Sequence, residues 1–414
     1  MEIENIEEAQ VTAVSTEGSN SVAVEINEAA GIREFTAQEL AKIEQHITWY
    51  SQDALKLKEE ASRENTRCIY RVLPKQKEIN GNLYKPSTVS IGPYHYGDSD
   101  LRANEEYKWR CLGSLLAKTQ SVGETYKQYL KEIAQLEGQI RDCYSEEIDL
   151  DEFLEMIVRD GCFIIELFRT FGSHRPPEEP LTTMEWILPY VYRDFLLLEN
   201  QLPFFVLETL FEITRMPADG DLPSLFVLAL RFFQKAMRVP DEFIDRSASA
   251  NLRPLHLLDL VRSSLIPADL VPPNSVRYPG TQVFPCVSKL RSAGIEIRPG
   301  QAESFLVVKV ENRVIEMPSI AMNDFMKYLL FNCVAFEQCH KRITKHLSVY
   351  ATFLHCLVNT DNDFDYLYER KVFYLGADAE LTGFINKLGK DLLFDIDSCY
   401  LSKLFNDVNQ FYRI

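Results

Sequence analysis

Apolar residues recur every three to four positions along most of this chain, and that period predicts a mainly helical protein. Leu40, Ile43, Ile47 and Tyr50 begin the pattern. Their helix opens at Thr36, with Glu39 three residues on as a capping box, and ends by about Arg63. Further helices are predicted at about 102–120, 122–144, 150–170, 182–199, 203–214 and 222–237, and again at about 251–264, 321–340, 345–358, 361–370, 379–390 and 397–412. The helix at about 150–170 is apolar on nearly every side, from Phe153 and Ile157 to Ile165 and Phe168, and so belongs in a core. Gly161 within it permits a second helix to approach closely.

Three regions break the period. Residues 68–97 carry Pro74, Pro86 and Pro93, which interrupt helices. Val89 and Ile91 alternate with polar neighbours like a short strand, and Gly92-Pro93 turns the chain, so this is a structured loop region. His174 to Pro180 is a loop, and the prolines of 265–284 mark a long connection. Ile295-Glu296-Ile297, Phe305 to Val310 and Val314 to Met317 are β-rich, with a hairpin at Glu311-Asn312-Arg313. The predicted fold is α+β and predominantly α-helical: a multi-helix core with one small antiparallel β-meander at about 295–317. Residues 1–34 hold eight acidic residues, one arginine and no aromatic, which predicts a disordered acidic tail. Residues 35–414 are read as a single large helical domain with a β-containing part at about 285–320.

Charge narrows the partners. A net charge of −17 over 414 residues leaves no basic face for a phosphate backbone, so nucleic acid is not expected as a partner. No signal-peptide pattern opens the chain, and no apolar run reaches the ~18 residues needed to span a bilayer. The nine cysteines are widely spaced, without a Cys-x-x-Cys pair, and read as free buried thiols.

Candidate chemistry is sparse. Glu199, Asn200 and Gln201 are consecutive polar residues inside an apolar run from Asp194 to Glu208. Buried without partners, such groups cost about 1–3 kcal/mol each, so the fold must satisfy or use them. Pro203 behind them favours a corner between two helices, with Asn200 closing the first in a left-handed conformation. His95, in a glycine-bounded loop, lacks an identifiable partner, and a side chain that bonds its own loop is the preferred reading. Cys333, Cys339, His340 and His346 fit no usual zinc spacing, and no metal or cofactor is expected. Asp160 and Glu166 are six apart, do not share a helix face, and are expected to cap, pair with Arg159 or Arg169, or face solvent. Gly-x-Ser-x-Gly, His-Glu-x-x-His, Gly-x-Gly-x-x-Gly and phosphate-loop motifs are absent.

Several segments together resemble one family. They are Ile69-Tyr70-Arg71-Val72, Val89 to His95, Lys108-Trp109, Asp160 to Phe168, Leu196 to Phe211, Ala335 to Cys339 and Leu381 to Leu388. Their order resembles the plant proteins catalogued as domain of unknown function 247, from about Thr36 to the C-terminus. Departures occur at Leu73, where the family has proline, and at Tyr96, where it often has a second histidine. The resemblance implies a plant protein that continues into one C-terminal membrane helix. This chain stops at Phe411-Tyr412-Arg413-Ile414, where that helix would be approached, so a truncated form or a soluble variant is expected. It implies no established activity; a role in pollen–stigma self-incompatibility belongs to particular grass members.

The leading expectation is a non-catalytic protein-interaction or recognition module, in signalling or self/non-self recognition, with a protein partner. Its expected place is the cytosolic face of a plasma membrane or endomembrane, reached only through that C-terminal helix. The alternative is an enzyme or small-ligand protein whose pocket gathers His95, Glu199, Asn200, Gln201 and Glu337.

Overall fold

The computed structural model describes residues 36–44, 46–47, 66–119, 125–173, 181–216, 220, 222–272, 284–374 and 381–412. The chain divides into two compact units at Asn65/Thr66. In the first, residues 37–44 and 46–47 are helical. The capping box is present: Glu39 N–H donates to Thr36 Oγ1 at 3.3 Å, and Thr36 N–H to Glu39 Oε2 at 2.9 Å. Ile43 and Ile47 on this helix are exposed. The tail 1–34, Tyr50 and the helix end near Arg63 lie outside the described residues.

In the second unit the helices are α1 (Pro74–Asn80), α2 (Arg102–Thr119), α3 (Tyr126–Ala134), α4 (Glu137–Asp142), α5 (Phe153–Phe171), α6 (Leu188–Asp194), α7 (Phe204–Ile213) and α8 (Leu225–Met237). They continue as α9 (Asp241–Ser249), α10 (Leu257–Ser264), α11 (Val287–Ser292), α12 (Asp324–Cys339), α13 (His346–Leu357), α14 (Asp361–Glu369), α15 (Leu381–Leu388) and α16 (Ser402–Tyr412). The protein is α+β and predominantly helical, as its periodicity predicts.

α5 is the central element, buried from Met156 to Arg169, with α2, α3, α7 and α8 packed around it. A Cβ at Gly161 would lie 2.3 Å from Leu210 Cδ1, so the missing side chain is what lets α7 approach. Phe168, Phe195, Phe232 and Phe233 interlock beside it, ring centroids 5.1–6.3 Å apart. A second layer, α12 with α13 and α15, continues the core. Among the described residues no helix is long and apolar enough to cross a membrane.

The β region differs from an antiparallel meander. β1 (Glu296–Gly300), β2 (Lys309–Glu311) and β3 (Val314–Pro318) form a mixed sheet in the order β1-β3-β2, with β1 parallel to β3. The hairpin does form: Asn312 and Arg313 take φ 49° and 64°, the paired left-handed turn that matches strand twist. Residues 301–308, however, do not fold β2 back onto β1: they reverse the chain and leave the place between the two strands to β3. Ser304 Oγ donates to the Leu265 carbonyl at 2.6 Å and Leu306 is fully buried, which carries β2 to the far edge of β3. A further parallel pair joins β4 (Ile320–Ala321) to β5 (Phe373–Tyr374).

Several helix boundaries also depart from the periodicity: the stretch 122–144 is broken into α3 and α4, 251–264 begins only at Leu257, and α9 lies where no helix is predicted. Pro74 opens α1 instead of interrupting a helix, since a first-turn proline lacks only an N–H that would be unpaired anyway. The helix predicted to reach 199 stops at Asp194, after a 3-10 turn at Leu181–Ile187. The reason lies in the polar triplet itself.

Candidate functional site

A helix continuing past Asp194 would need the carbonyls of residues 194 to 197 and the amides four residues on. Both are taken. Asn200 Nδ2 donates to the Asp194 carbonyl at 2.9 Å, and Gln201 Nε2 to those of Phe195 and Leu197 at 2.7 and 2.9 Å. The Leu198 N–H donates to Asn332 Oδ1 at 2.9 Å. The chain therefore turns, and Pro203 leads into α7. Asn200 is not left-handed, because its side chain supplies the capping bond.

The same corner holds the segment before α2 through its backbone. Asp194 accepts the N–H groups of Ser87, Thr88 and Val89 at 3.1, 2.6 and 2.9 Å. Asn200 Oδ1 accepts Ile91 N–H at 2.6 Å while its Nδ2 also donates to the Val89 carbonyl at 3.0 Å. Asp160 accepts Gly92 N–H at 2.9 Å, and Lys108, fully buried, donates to the Ser90 carbonyl. The N–H groups of residues 87, 88, 89, 91 and 92 are thus bonded by side chains from α5 and the corner, with no strand partner. This explains why Val89 and Ile91 alternate like a strand and form none. Gly92 sits at φ 73°, and a Cβ there would lie 2.6 Å from the Gln201 carbonyl oxygen, so only glycine fits.

Glu199 closes the other end. It is 1% exposed and accepts Val72 N–H at 2.6 Å, with Lys77 Nζ at 2.6 Å and Arg71 Nη1 at 3.4 Å. His95 Nε2 lies 3.4 Å from Oε2 but misses hydrogen-bond geometry. Burial works against its charge, yet His95, Lys77 and the Val72 amide outweigh it and hold the carboxyl at about 2. Asp194 goes the other way: burial lifts it to about 6 against its three amides.

Of the sequence candidates, His95 and Glu199 therefore meet, with Asn200 and Gln201 beside them. The Gln201 Oε1 accepts Leu258 N–H at 3.2 Å, so both amide side chains are occupied. Glu337 belongs to a different network. It is fully buried, bonds Arg262 Nε at 2.8 Å, and accepts the Leu347 and Ser348 amides of the first turn of α13 at 3.1 and 2.7 Å. A carboxylate held at about 2 is a feeble base at neutral pH. Cys339 is pushed up to about 11 by burial, with a lesser push from the Glu199 charge, and stays a thiol. Asp160 pairs with Lys108 at 2.9 Å and Glu166 with Lys118 at 2.9 Å, so neither is solvated. All nine cysteines are free, three of them half-buried. Among the described residues no cluster of three metal-binding side chains occurs. His340 Nδ1 instead meets Tyr70 OH at 2.9 Å, and His346 Nε2 meets the Leu270 carbonyl at 2.7 Å.

An open feature lies elsewhere. A groove of about 710 Å³ runs between α6 with its preceding 3-10 turn and α8, ending at Asn323 and Phe325. Leu188, Tyr192 and Phe232 give it an apolar floor, and Arg231, Lys235 and Arg238 line one side. None of these three cations forms an ion pair among the described residues, in a chain of net charge −17. On the opposite wall's elements Trp186 is 72% exposed and Tyr190 44%. Sequence reasoning passed over this groove. Basic residues at 231, 235 and 238, spaced to share one helix face in an acidic chain, were the available signal.

Fold and corner together define a helical α+β protein whose extended segment is clamped by buried carboxylates and amides. The chain belongs to the family described as plant protein of unknown function, DUF247, whose profile matches residues 69–414. It is 30% identical over 388 residues to the UPF0481 protein At3g47200 of Arabidopsis thaliana, covering 87% of this chain and 80% of that one. It is 26% identical over 217 residues to the putative UPF0481 protein At3g02645 of the same plant, covering 51% of this chain and 40% of that one. No solved structure matches.

Proposed function

We propose that this protein is a non-catalytic interaction module that docks an acidic segment of a partner protein, anchored by an aromatic or aliphatic side chain. The supporting observation is the groove between α6 and α8, where three cations, unpaired among the described residues, border an apolar floor with Glu185 as the one carboxylate in the lining; the exposed Trp186 lies on the same 3-10 turn as Glu185. Exposed tryptophan with arginine is the composition of binding hot spots. Cations facing an acidic peptide would add steering and register. The buried corner at Glu199 supports the same reading, because its carboxylate and amides are spent on backbone groups. The proposed setting is signalling or self/non-self recognition at the cytosolic face of a plasma membrane or endomembrane.

Peptides selected by phage display against the full chain test this. Selection should enrich Asp/Glu-rich sequences around one large apolar residue. Their affinity should fall with salt, and fall at least about tenfold in Arg231→Glu/Lys235→Glu and in Trp186→Ala. Failure to enrich such peptides, or enriched peptides indifferent to these variants, would refute the reading.

A further inference from the structure

A second cavity, of about 580 Å³, opens between the first turn of α13 and residues 393–400. Pro272, Val349, Leu393 and Phe394 supply apolar walls. The rings of His346 and Tyr400 line it too, their centroids 5.0 Å apart. The volume lies in the range of sites for small organic molecules.

Beside it is a group of buried polar atoms that have no hydrogen-bond partner: His346 Nδ1, the hydroxyls of Tyr350 and Tyr400, and Ser402 Oγ. His346 and Tyr350 are four apart on α13 and share a face; Tyr400 packs on His346, and Ser402 follows two residues on. Leaving each unpaired costs about 1–3 kcal/mol, so a group of four calls for an explanation.

The group is uncharged. His346 Nε2 meets a carbonyl, so it carries the proton and Nδ1 is left as an acceptor. Burial lowers His346 and raises both tyrosines, which keeps all three neutral. Lys345, which also lines the cavity, already donates to the Leu393 carbonyl at 3.2 Å. Tyr400 belongs to both features: its ring faces the cavity while its hydroxyl is buried.

We propose that this cavity binds a small, mainly apolar molecule bearing one uncharged hydroxyl. The apolar body lies against Val349, Leu393 and Phe394. A turn of the Tyr400 ring admits the hydroxyl, which donates to His346 Nδ1 and accepts from Tyr400. A hydroxyl suits the group because it donates and accepts at once. A carboxylate would meet the like charge of Asp395, which also lines the cavity. The proposal is independent of the groove between α6 and α8.

The test compares 2-naphthol with 2-methoxynaphthalene, which has the same rings but no donor, by fluorescence titration of the full chain. Methyl-labelled NMR reports on Val349 and Leu393. One 2-naphthol should bind per chain, about tenfold tighter than the ether, and shift those methyl signals. Tyr400→Phe keeps the ring and removes one orphaned hydroxyl, so it should fold. It should weaken 2-naphthol about fivefold and leave the ether unchanged. Equal binding of both probes, no saturable binding, or shifts confined to other methyls would overturn the proposal. So would a crystal structure in which waters alone satisfy the four atoms and no probe binds.

Discussion

Replacing Glu199 by glutamine keeps the shape of the side chain and removes its charge. The carboxyl is held at about 2 in the fold, against its ordinary value of 4.5 in the unfolded chain. That difference corresponds to about 3 kcal/mol favouring the ionised fold at neutral pH. The folded value is the lower one. Its stabilisation is therefore complete above pH 4.5 and is lost as pH falls towards 2. Glu199→Gln should thus unfold in urea with a free energy lower by about 3 kcal/mol at pH 7, and by only about 2 kcal/mol at pH 3.5. Arg71 and Lys77 are partly exposed, so salt should trim the difference, but the buried carboxylate and the Val72 amide keep most of it. Urea titrations of both proteins from pH 7 to pH 3.5 measure it. A deficit below about 1 kcal/mol, or one that does not shrink towards low pH, would refute the assignment of Glu199 as an ionised clamp.

Gly92→Ala should cost more than about 2 kcal/mol, since it needs φ 73° and sets a Cβ 2.6 Å from a backbone oxygen. Gly138→Ala, in α4 with nothing within 4 Å, should instead raise the melting temperature; thermal melts of the pair separate the two. Glu337→Gln should cost about 3–5 kcal/mol, because Arg262 keeps only Asp259 as a carboxylate partner and the first turn of α13 loses one of its two acceptor oxygens. Faster amide exchange at Leu347 and Ser348 would accompany it. Burial lowers His256 to about 4, so its ring resonances should titrate near pH 4, and stability should fall as pH drops from 6.5 through 4. A midpoint near 6.5 would contradict a buried neutral ring.

The helices were legible because burial imposes a period, and α5, apolar all round, was legible as the core helix. The triplet at 199–201 was legible as a demand for partners, since three polar groups in an apolar run cannot go unpaired. Its partners were not legible: Val72, Ile91 and Leu258 lie 57 to 127 residues away. Asp194 and Asn332 carried the same signal, single polar residues in apolar surroundings, and both are clamps. The strand-like alternation at Val89 and Ile91 misleads because side chains supply the bonds a sheet would have made. The β region was readable as strands, but not as a mixed sheet, because the path of 301–308 is set by Ser304 reaching Leu265. The groove at Arg231, Lys235 and Arg238 needed only the spacing of three cations.

The account rests on the claim that buried side chains do for Val72 and residues 87–92 what a helix or sheet does elsewhere. Native-state hydrogen exchange of the Val72, Thr88, Val89, Ile91 and Gly92 amides tests it most directly. All five bond buried carboxylates or Asn200, outside any strand. They should exchange only through global unfolding, as slowly as the amides of α5. Exchange at the rate of an exposed loop would contradict the claim.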